Sequence, residues 1–304
     1  MKVLITGGTG TIGRAYVKNY SEFFDVYSLS RDENKQTQLQ RSFPEVVGQY
    51  LGNVEDKETV FRVYEEVKPD IVIHAAAVKH INLAEKQPIQ TCKVNIVGSL
   101  NIIEASIRYD IPITVAISTD KACSYESVYG GSKYLMERCF LEANSNRNKF
   151  SVCRFANVAH SDGSVLPFWL DEKRDGNPLK LTDPDMNRLM FTQDDAANLI
   201  YRTVEYTRKN GGGFVCSYKM RCVNMLDLAN AISEDVEIVG RRPGEKVDED
   251  LVSEHELDYT YVIGNDIHIR TEKNDGDNKL DVPYNSKSAK KMSQKEIKEI
   301  VEWV

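Results

Sequence analysis

The sequence lacks the features that mark membrane, secreted and metal-binding proteins. It contains no apolar run near the ~18 residues that a membrane-spanning helix needs. Its six cysteines, at positions 92, 123, 139, 153, 216 and 222, include no Cys-x-x-Cys pair and no paired metal spacing. We therefore expect reduced thiols, no metal site, no membrane contact and a cytoplasmic location.

The chain also lacks the basic charge of a nucleic-acid-binding protein. It has 39 Lys and Arg residues against 46 Asp and Glu residues, and the net charge is -7. Because nucleic-acid phosphates are bound by clustered basic side chains, this excess of acid argues against nucleic acid as a partner. The chain begins with Lys2-Val3-Leu4-Ile5, which predicts a strand rather than a signal peptide.

Short β-branched runs alternate with amphipathic stretches through the first half of the chain. The predicted strands span 2–6, 25–29, 46–50, 70–74, 113–117 and 150–154, and the predicted helices span about 11–20, 32–42, 56–66, 85–107 and 131–144. This alternation is typical of βαβ units, so we predict an α/β fold with a Rossmann-like, doubly wound parallel sheet. Ligands bind at the carboxyl ends of the strands in such a sheet.

The alternation weakens after about residue 158, where turn-rich and polar segments become frequent. We predict a dinucleotide-binding domain at 1–158 and a smaller lobe, mainly for substrate binding, at 159–304. Helices near 194–208 and 225–233 return to the earlier pattern. We predict that both pack back on the first domain.

A glycine-rich loop joins the first predicted strand to the first predicted helix. Gly7, Gly10 and Gly13 have the spacing that permits a tight turn, a close approach to pyrophosphate and close helix–strand packing. The N-terminus of the following helix attracts phosphate groups. Dinucleotide binding is the prediction, and a tight turn without a ligand is the alternative. The predicted contacts are Gly7, Thr9, Gly10, Thr11, Ile12 and Gly13.

The second predicted strand is followed by Ser30, Arg31 and Asp32. An NAD site usually has a carboxylate here, about 20 residues beyond the glycines, for the ribose 2′-hydroxyl. In this chain a hydroxyl and a guanidinium come first, and arginine pairs bidentately with a 2′-phosphate. NADP is therefore favoured over NAD. Asp32 keeps two alternatives open, because it could serve NAD or could cap the next helix.

Tyr129 and Lys133 are four residues apart in a predicted helix, so they share one face. The pair suits hydride chemistry at a hydroxyl, because a nearby ammonium and a positive nicotinamide lower the pKa of a tyrosine that acts as a base. Chance is the alternative, since Tyr-x-x-x-Lys is a common spacing. The Ser118 and Thr119 hydroxyls, after the preceding strand, favour the functional interpretation.

Asp120 and Lys121 add an acid and a base that simple alcohol oxidation does not need. Adjacent opposite charges usually form an exposed ion pair in a loop, but these two lie at the predicted nicotinamide end of the site. Lys79 and His80 follow three alanines and lie near the same rim. We predict that His80 is structural or positions a substrate, because no second metal ligand accompanies it.

These segments resemble the extended short-chain dehydrogenases/reductases. More narrowly, they are similar to the UDP-N-acetylglucosamine 4,6-dehydratases of the 5-inverting type, within a polysaccharide biosynthesis family. The resemblance covers the chain almost from end to end. Its most specific segment is Ser118-Thr119-Asp120-Lys121-Ala122, and the others are 30–32, 74–80, 95–99, 154–158, 163–165, 183–188 and 242–246.

The resemblance implies a role for individual residues. The implied catalytic residues are Thr119, Asp120, Lys121, Tyr129 and Lys133. Beyond the glycine loop, the implied NADP contacts are Ser30, Arg31, Asp32, Asn53, Val54, Ala75, Ala76, Lys79, Asn95, Tyr129 and Lys133. The implied substrate contacts are Lys79, His80, Asn157, Ser164, Val165, Arg188, Arg242 and Glu245, of which the two arginines would offset the charge of a diphosphate.

The chain departs from the family pattern at several positions. Asn53 stands where an aspartate commonly faces adenine, and Ser124-Tyr125 replaces a more usual Asn-Pro. Val247-Asp248-Glu249 replaces Leu-His-Glu, and Tyr129 is kept where some relatives have methionine. No departure removes a catalytic group, but the changes after Gly244 bear on the identity of the substrate.

The implied reaction is an NADP-dependent dehydration of a UDP-sugar, UDP-N-acetylglucosamine, with or without inversion at C5. In it Tyr129 takes the proton of the 4-hydroxyl, Lys121 takes the C5 proton and Asp120 protonates the leaving 6-hydroxyl. Thr119 would bind the 4-hydroxyl, and Lys133 the cofactor ribose. We also expect a homo-oligomer.

Three other functions would use part of the same residue set. A nucleotide-sugar 4-epimerase would need the glycine loop, Tyr129 and Lys133, but has no need for Asp120 and Lys121. A 4-keto-sugar reductase would consume added NADPH. A non-catalytic NADP-sensing protein would turn over no nucleotide sugar, and the intact Tyr129/Lys133 pair argues against it.

Overall fold

The computed structural model of the protein describes residues 1–241 and 245–303. The strands are β1 (Lys2–Thr6), β2 (Asp25–Ser30), β3 (Gly48–Leu51), β4 (Ile71–His74), β5 (Ile113–Thr119), β6 (Lys149–Phe155), β7 (Asn157–Val158), β8 (Leu179–Leu181), β9 (Asn187–Phe191), β10 (Phe214–Tyr218), β11 (Arg221–Asn224), β12 (Val236–Ile238), β13 (Asp250–Val252), β14 (Thr260–Ile263), β15 (Asp266–Arg270) and β16 (Tyr284–Asn285). The α-helices are α1 (Thr11–Tyr20), α2 (Glu33–Ser42), α3 (Lys57–Val67), α4 (Ile81–Lys86), α5 (Pro88–Cys92), α6 (Gly98–Arg108), α7 (Val128–Ala143), α8 (Val165–Arg174), α9 (Gln193–Asn210), α10 (Met225–Asn230) and α11 (Gln294–Glu302). A π-helical turn spans Lys93–Val97, and short 3-10 helices span Asp120–Ala122 and Glu254–Tyr259.

A nine-stranded sheet lies at the centre, in the order β14-β15-β10-β6-β5-β4-β1-β2-β3. The strands from β10 to β3 are parallel, whereas β15 and β14 pair antiparallel at one edge. Every residue of β4 and β5 is buried, as expected for a parallel sheet covered on both faces. The predicted α/β fold with a doubly wound parallel sheet is confirmed.

Helices cover the two faces of this sheet. Val3 and Ile5 of β1 contribute to a core with α1 and α9, and Leu4 contributes to a second core with α3, α6 and α7. This division follows from the alternation of side chains along a strand. Each face therefore has its own apolar core, and the strands are fixed between the two.

The stretch predicted as one helix at 85–107 is divided. It comprises the end of α4, then α5, the π-helical turn and most of α6. Pro88 occupies the first turn of α5, where its missing N–H and fixed φ are tolerated, but it cannot continue the preceding helix. Gly98, the first residue of α6, lies so close to α3's leading loop that a Cβ would approach Val54 Cγ2 to 2.7 Å. The chain is therefore packed closely against Val54 at the point where the π-helical turn ends and α6 begins.

The chain returns to the central sheet after residue 158. Strands β10, β15 and β14 extend the sheet beyond β6, and α9 packs on α1, β5 and β6. In contrast with the prediction for 225–233, α10 packs on β8, β11 and α11. The reason is that Met225 and Leu228 join a separate apolar cluster with Trp169 and Leu179. The division at residue 158 stays a prediction, but the sheet crosses it.

The separate cluster is the core of a second lobe. Three small sheets belong to this part of the chain, in the orders β11-β9-β7, β12-β8 and β13-β16. The last helix, α11, contributes Ile297 and Ile300 to the cluster. Because β7 directly follows β6, the lobe begins at the carboxyl end of the central sheet.

One buried arginine joins the two parts of the molecule. Arg154 of β6 is 1% exposed, and its guanidinium donates to Glu137 of α7 at 3.0 and 2.6 Å. It also donates to Glu256 at 3.0 and 2.8 Å and to the Leu251 carbonyl at 2.9 Å. A single side chain thus holds α7 against the segment that follows β13.

Arg154 should contribute several kcal/mol to the free energy of unfolding. Arg154→Met would leave Glu137 buried without its partner, and removing one member of a buried ion pair costs about 3–5 kcal/mol. Urea unfolding at neutral pH should show that loss. The matched control is Arg147→Met, which breaks an exposed ion pair with Asp110 and should cost less than about 1 kcal/mol. Equal losses in the two variants would contradict the assigned importance of Arg154.

Candidate active site

A groove of about 1040 Å³ runs across the carboxyl ends of the parallel strands and is closed on its far side by the second lobe. Among its walls are all five residues predicted as catalytic: Thr119, Asp120, Lys121, Tyr129 and Lys133. The predicted cofactor contacts in the groove are Gly7, Thr9, Gly10, Thr11, Ile12, Gly13, Ser30, Arg31, Asp32, Asn53, Val54, Ala75, Ala76 and Lys79. The predicted substrate contacts in the groove are Lys79, His80, Asn157, Ser164, Val165, Arg188 and Glu245. Arg242 lies outside the described residues.

The glycine loop forms a tight floor at one end of the groove. Gly7 has φ +72°, and a Cβ there would lie 2.8 Å from the Ala76 nitrogen. A Cβ on Gly13 would lie 2.4 Å from the Gly8 Cα, so side chains are excluded where the loop meets α1. Gly10 precedes α1 and offers no side-chain cap. The first N–H groups of α1 are therefore available to a phosphate.

The end of β2 carries the residues predicted to select the cofactor. Ser30 is buried, and its Oγ accepts a hydrogen bond from the Thr9 N–H at 3.3 Å. Asp32 caps α2 by accepting from the Lys35 N–H at 3.0 Å. Arg31 and Lys35 are exposed and line the groove. The structure thus gives Asp32 the capping role and places two cations beside it.

Asn95 differs from the predicted direct contact with the cofactor. Its Oδ1 accepts from the Val78 N–H at 2.7 Å, and its Nδ2 donates to the Val78 carbonyl at 3.0 Å and to Ser132 Oγ at 2.9 Å. In these bonds both the oxygen and the nitrogen of the Asn95 side chain are paired with other groups of the protein. Asn95 therefore holds the segment after β4 against α7, and does not line the groove.

Tyr129 and Lys133 lie on the groove side of α7, which begins after the N-cap Ser127. Burial raises the pKa of Tyr129 to about 12, and the nearby charge of Lys121 acts to lower it. Burial lowers the pKa of Lys133 to about 8, although the Glu137 carboxylate one turn later opposes this shift. Lys121 is thus a cation that acts on Tyr129, besides the Lys133 to which the sequence pointed.

Asp120 is buried at the end of β5, with 2% of its surface exposed. Its Oδ1 accepts from Thr119 Oγ1 at 2.8 Å, from the Lys121 N–H at 2.9 Å and from Lys121 Nζ at 3.2 Å. Its Oδ2 has no hydrogen-bond partner among the described residues. Burial, and then the charge of Glu249, raise the pKa of Asp120 to about 7. The carboxyl group can therefore gain or lose a proton near neutral pH.

Lys121 lies between two carboxylates. Its Nζ is 2.9 Å from Glu249 Oε2, besides its contact with Asp120. Burial alone would lower the pKa of Lys121, but the two carboxylates raise it above its ordinary value. The Lys121 and Arg188 charges hold the pKa of Glu249 well below its usual range, against the effect of burial. Glu249 was not predicted as a site residue, because it lies 128 positions away from Lys121.

Arg188 reaches the groove with a guanidinium that is already engaged. It donates to the carbonyls of Asn187 and Val247 at 2.7 and 2.9 Å and to the Lys246 carbonyl at 2.9 Å. Its Nε is 3.6 Å from Glu249 Oε1. Arg188 therefore anchors the segment before β13 on β9. To bind a diphosphate as predicted, Arg188 would have to do so while it keeps these hydrogen bonds.

The rim opposite the glycine loop carries two hydroxyls with no partner among the described residues, those of Ser118 and Ser164. Ser164 is the residue before α8 and makes no capping bond. His80 lies against Gly163, where a Cβ would be 2.4 Å from the imidazole Cε1. Asn157 donates to the Leu189 carbonyl at 3.1 Å. These residues form a polar wall of the groove.

Within 1–241 and 245–303, no group of three or more His, Cys, Asp or Glu side chains is arranged to hold a metal ion. No helix in the same ranges combines the length and the apolar character that crossing a bilayer requires.

Comparison with known proteins places the chain in a family. Residues 3–271 match the family described as polysaccharide biosynthesis protein. The chain is 34% identical to the UDP-N-acetylglucosamine 4,6-dehydratase (inverting) of Campylobacter jejuni, covering 86% of this chain and 80% of that protein. It is 34% identical to an uncharacterised membrane protein of Methanocaldococcus jannaschii (98% and 94%) and 29% identical to the UDP-glucose 4-epimerase of Rickettsia canadensis (98% and 94%).

A solved structure agrees with these matches. The X-ray structure of Pen from Bacillus thuringiensis superposes with a TM-score of 0.90 at 29% identity, covering 99% of this chain and 96% of that one. The resemblance to 4,6-dehydratases that the segment around Asp120 and Lys121 indicated is thus confirmed. The chain belongs to the family of polysaccharide biosynthesis proteins.

Proposed function

We propose that this protein is an NADP-dependent nucleotide-sugar 4,6-dehydratase that acts on UDP-N-acetylglucosamine and forms a UDP-4-keto-6-deoxy sugar. The observation that carries the proposal is the convergence of two residue pairs in one groove. Tyr129 and Lys133 suit oxidation of a hydroxyl, and Asp120 and Lys121 supply the acid and base of an elimination. The similarity to the C. jejuni dehydratase supports the choice of reaction and substrate.

The first step is oxidation at C4 of the sugar. A bound nicotinamide cofactor would accept the C4 hydride in this step and return it to C6 in the last step, after loss of water, while C5 takes up a proton. Tyr129 accepts the proton of the 4-hydroxyl, and the positive charges of Lys121 and the nicotinamide favour the tyrosinate that this requires. Thr119 binds the 4-hydroxyl, and Lys133, with a pKa of about 8, donates hydrogen bonds to the cofactor ribose.

The second step is loss of water across C5 and C6. The new 4-ketone acidifies the C5 hydrogen, and the 6-hydroxyl is β to that ketone. Lys121 takes the C5 proton, and Asp120 protonates the hydroxyl that leaves as water. A carboxyl group with a pKa of about 7 suits this acid role at neutral pH. The two neighbouring carboxylates favour the ammonium form of Lys121, so Lys121 first passes a proton to Asp120, 3.2 Å away, which gives both the amine base and the carboxylic acid of this step.

The diphosphate of the substrate fits the polar wall of the groove. At the N-terminus of α8 lies Ser164, whose hydroxyl has no partner within 1–241 and 245–303, and helix N-termini attract phosphate groups. Val165, Asn157, His80 and Lys79 lie beside it in the groove. Glu245, Arg188 and, by sequence, Arg242 complete the proposed substrate contacts.

Incubation with UDP-N-acetylglucosamine tests the proposal. Mass spectrometry should show a product lighter by one water, and NMR should show a 4-keto-6-deoxy sugar and the configuration at C5. An unchanged mass with inversion at C4 would instead identify an epimerase. A requirement for added NADPH would identify a 4-keto-sugar reductase, and absence of turnover on every nucleotide sugar would favour an NADP-sensing protein.

Substitutions should separate oxidation from elimination. Tyr129→Phe should abolish reduction of the bound cofactor and lower turnover by about 10²–10⁴-fold, because the base of the first step is lost. Lys121→Ala should accumulate reduced cofactor without dehydrated product, as followed by nicotinamide absorbance. In heavy water the native enzyme should place deuterium at C5. Normal turnover by Lys121→Ala, or a product without deuterium, would refute the role of Lys121.

Tyr134→Phe provides the control for these variants. Tyr134 lies on the same helix as Tyr129 but stacks on Tyr125, with ring centroids 4.5 Å apart. It does not line the groove. This variant should retain native turnover, so a comparable loss in both tyrosine variants would indicate damage to α7 rather than to the chemistry.

We further propose that the cofactor is NADP rather than NAD. The Asp32 carboxylate caps α2, while the side chains of Arg31 and Lys35 line the groove. Arg31→Ala should weaken NADP binding by about 1–3 kcal/mol, since a charge-assisted hydrogen bond is lost, and should change NAD binding little. Cofactor titrations measure both. Arg41→Ala, at the exposed end of α2, is the control, and equal affinity of the native protein for both cofactors would refute the proposal.

We also propose that the protein forms a homo-oligomer through an apolar surface on α5, α6, α7 and the π-helical turn, which pack against one another. The surface exposes Ile89 (75%), Val97, Leu100, Ile107 and Leu135. Contiguous exposed apolar side chains of this kind mark interaction sites. Light scattering should give a multiple of the chain mass, and Leu100→Glu should reduce it. Phe23→Glu, at an exposed position on the other face, should not.

A further inference from the structure

Glu249 is a carboxylate of the second lobe that contacts the Asp120/Lys121 pair. Its Oε2 is 2.9 Å from Lys121 Nζ and its Oε1 is 3.6 Å from Arg188 Nε. Its backbone is fixed on both sides by Ser286, because the Glu249 N–H donates to Ser286 Oγ at 3.0 Å and the Ser286 N–H donates to the Glu249 carbonyl at 3.0 Å. The carboxylate is therefore held in place before any substrate enters.

We infer that Glu249 is a positioning residue for the dehydration, which holds the Lys121 amino group in place and sets how many exchangeable protons Asp120 and Lys121 share. The inference rests on the proposed function, because it concerns the acid and base of that reaction. Glu249 acts through these two side chains. It would thus set how many protons the pair holds when the sugar arrives.

The charges around Glu249 explain this effect. Asp120 and Lys121 face it from the short helix after β5, Arg188 faces it from β9, and Tyr129 faces it from α7. A negative charge in contact stabilises the protonated form of each neighbour. The pKa of Asp120 is raised first by burial and then by Glu249, and the Glu249 charge also acts to raise the pKa of Lys121.

The direction of the expected shift does not depend on which member of the pair is the acid. Glu249→Gln keeps the size of the side chain but removes its charge, so the pKa values of Asp120 and Lys121 should both fall. Wherever kcat depends on the protonation of Asp120 or Lys121, the pH at which it changes should then be lower than in the native enzyme. Glu249→Asp keeps the charge and should keep the profile near its native position.

The experiment measures kcat and KM on UDP-N-acetylglucosamine across pH for the native enzyme and both variants. For Glu249→Gln we expect the profile of kcat to move toward acid by at least about one pH unit, the lower end of the shift that a charge in contact produces. KM should change less than kcat. A loss of kcat that is equal at every pH, or an unchanged profile, would overturn the inference.

Asp248→Asn is the matched control in the same segment. Asp248 Oδ1 accepts from Ser286 Oγ at 2.8 Å and from Asn187 Nδ2 at 3.2 Å. It therefore anchors the segment as Glu249 does. Asp248→Asn should keep the native pH profile, and an acid shift equal to that of Glu249→Gln would assign the effect to the segment and overturn the specific role of Glu249.

A second measurement keeps the inference separate from the proposed function. If the native protein forms no dehydrated product, the dehydratase proposal fails, and the carboxyl pKa of Asp120 can still be followed by carbon-13 NMR. Asp120→Asn identifies the signal. The titration midpoint of Asp120 should be lower in Glu249→Gln than in the native protein. Equal midpoints would overturn the inference.

Discussion

The buried guanidinium of Arg154 is the contact on which the arrangement of the site depends. It binds Glu137 on the helix that carries Tyr129 and Lys133, and it binds Glu256 in the segment that follows Glu249. One side chain of β6, Arg154, thus connects the helix and the segment that form two walls of the groove. Because Arg154 and Glu137 are buried, their alignment cannot relax without leaving an unpaired charge in an apolar environment.

Burial also explains why the chemistry depends on proton positions. In a medium of low polarity, neighbouring charges change one another's pKa far more than they do in water. Asp120, Lys121 and Glu249 form an alternating series of carboxyl, ammonium and carboxylate groups, in which each member determines the preferred protonation of the next. Among the described residues, the buried Oδ2 of Asp120 has no hydrogen-bond partner, so this carboxyl group has an oxygen that can hold a proton.

The features that the sequence predicted are local ones. The glycine loop, the Ser30–Asp32 strand end and the Tyr129/Lys133 pair are each defined by residues within one or two adjacent elements, and strand–helix alternation fixes where they meet. The strands of the first half were predicted with ends shifted by one or two residues. Placement of these groups at one edge of the sheet follows from parallel topology alone.

The features that the sequence did not predict arise from contacts between distant segments. Glu249 and Arg154 acquire their roles from partners more than 100 positions away along the chain. The engagement of Arg188 with three carbonyls depends on the path of the segment before β13. Likewise, the apolar side chains of α10 pack in the second lobe because their partners lie there.

The return of the chain to the central sheet has a consequence for how the protein is made. Strand β6 ends near residue 155, but its outer edge pairs with β10, which begins at Phe214. Until β10 has left the ribosome, β6 presents an open edge of unpaired backbone groups, the kind of surface that promotes aggregation. The nascent N-terminal half therefore keeps this open edge until Phe214–Tyr218 has been made, and the groove is complete only once Glu249 and Asp250, which line it, have been added.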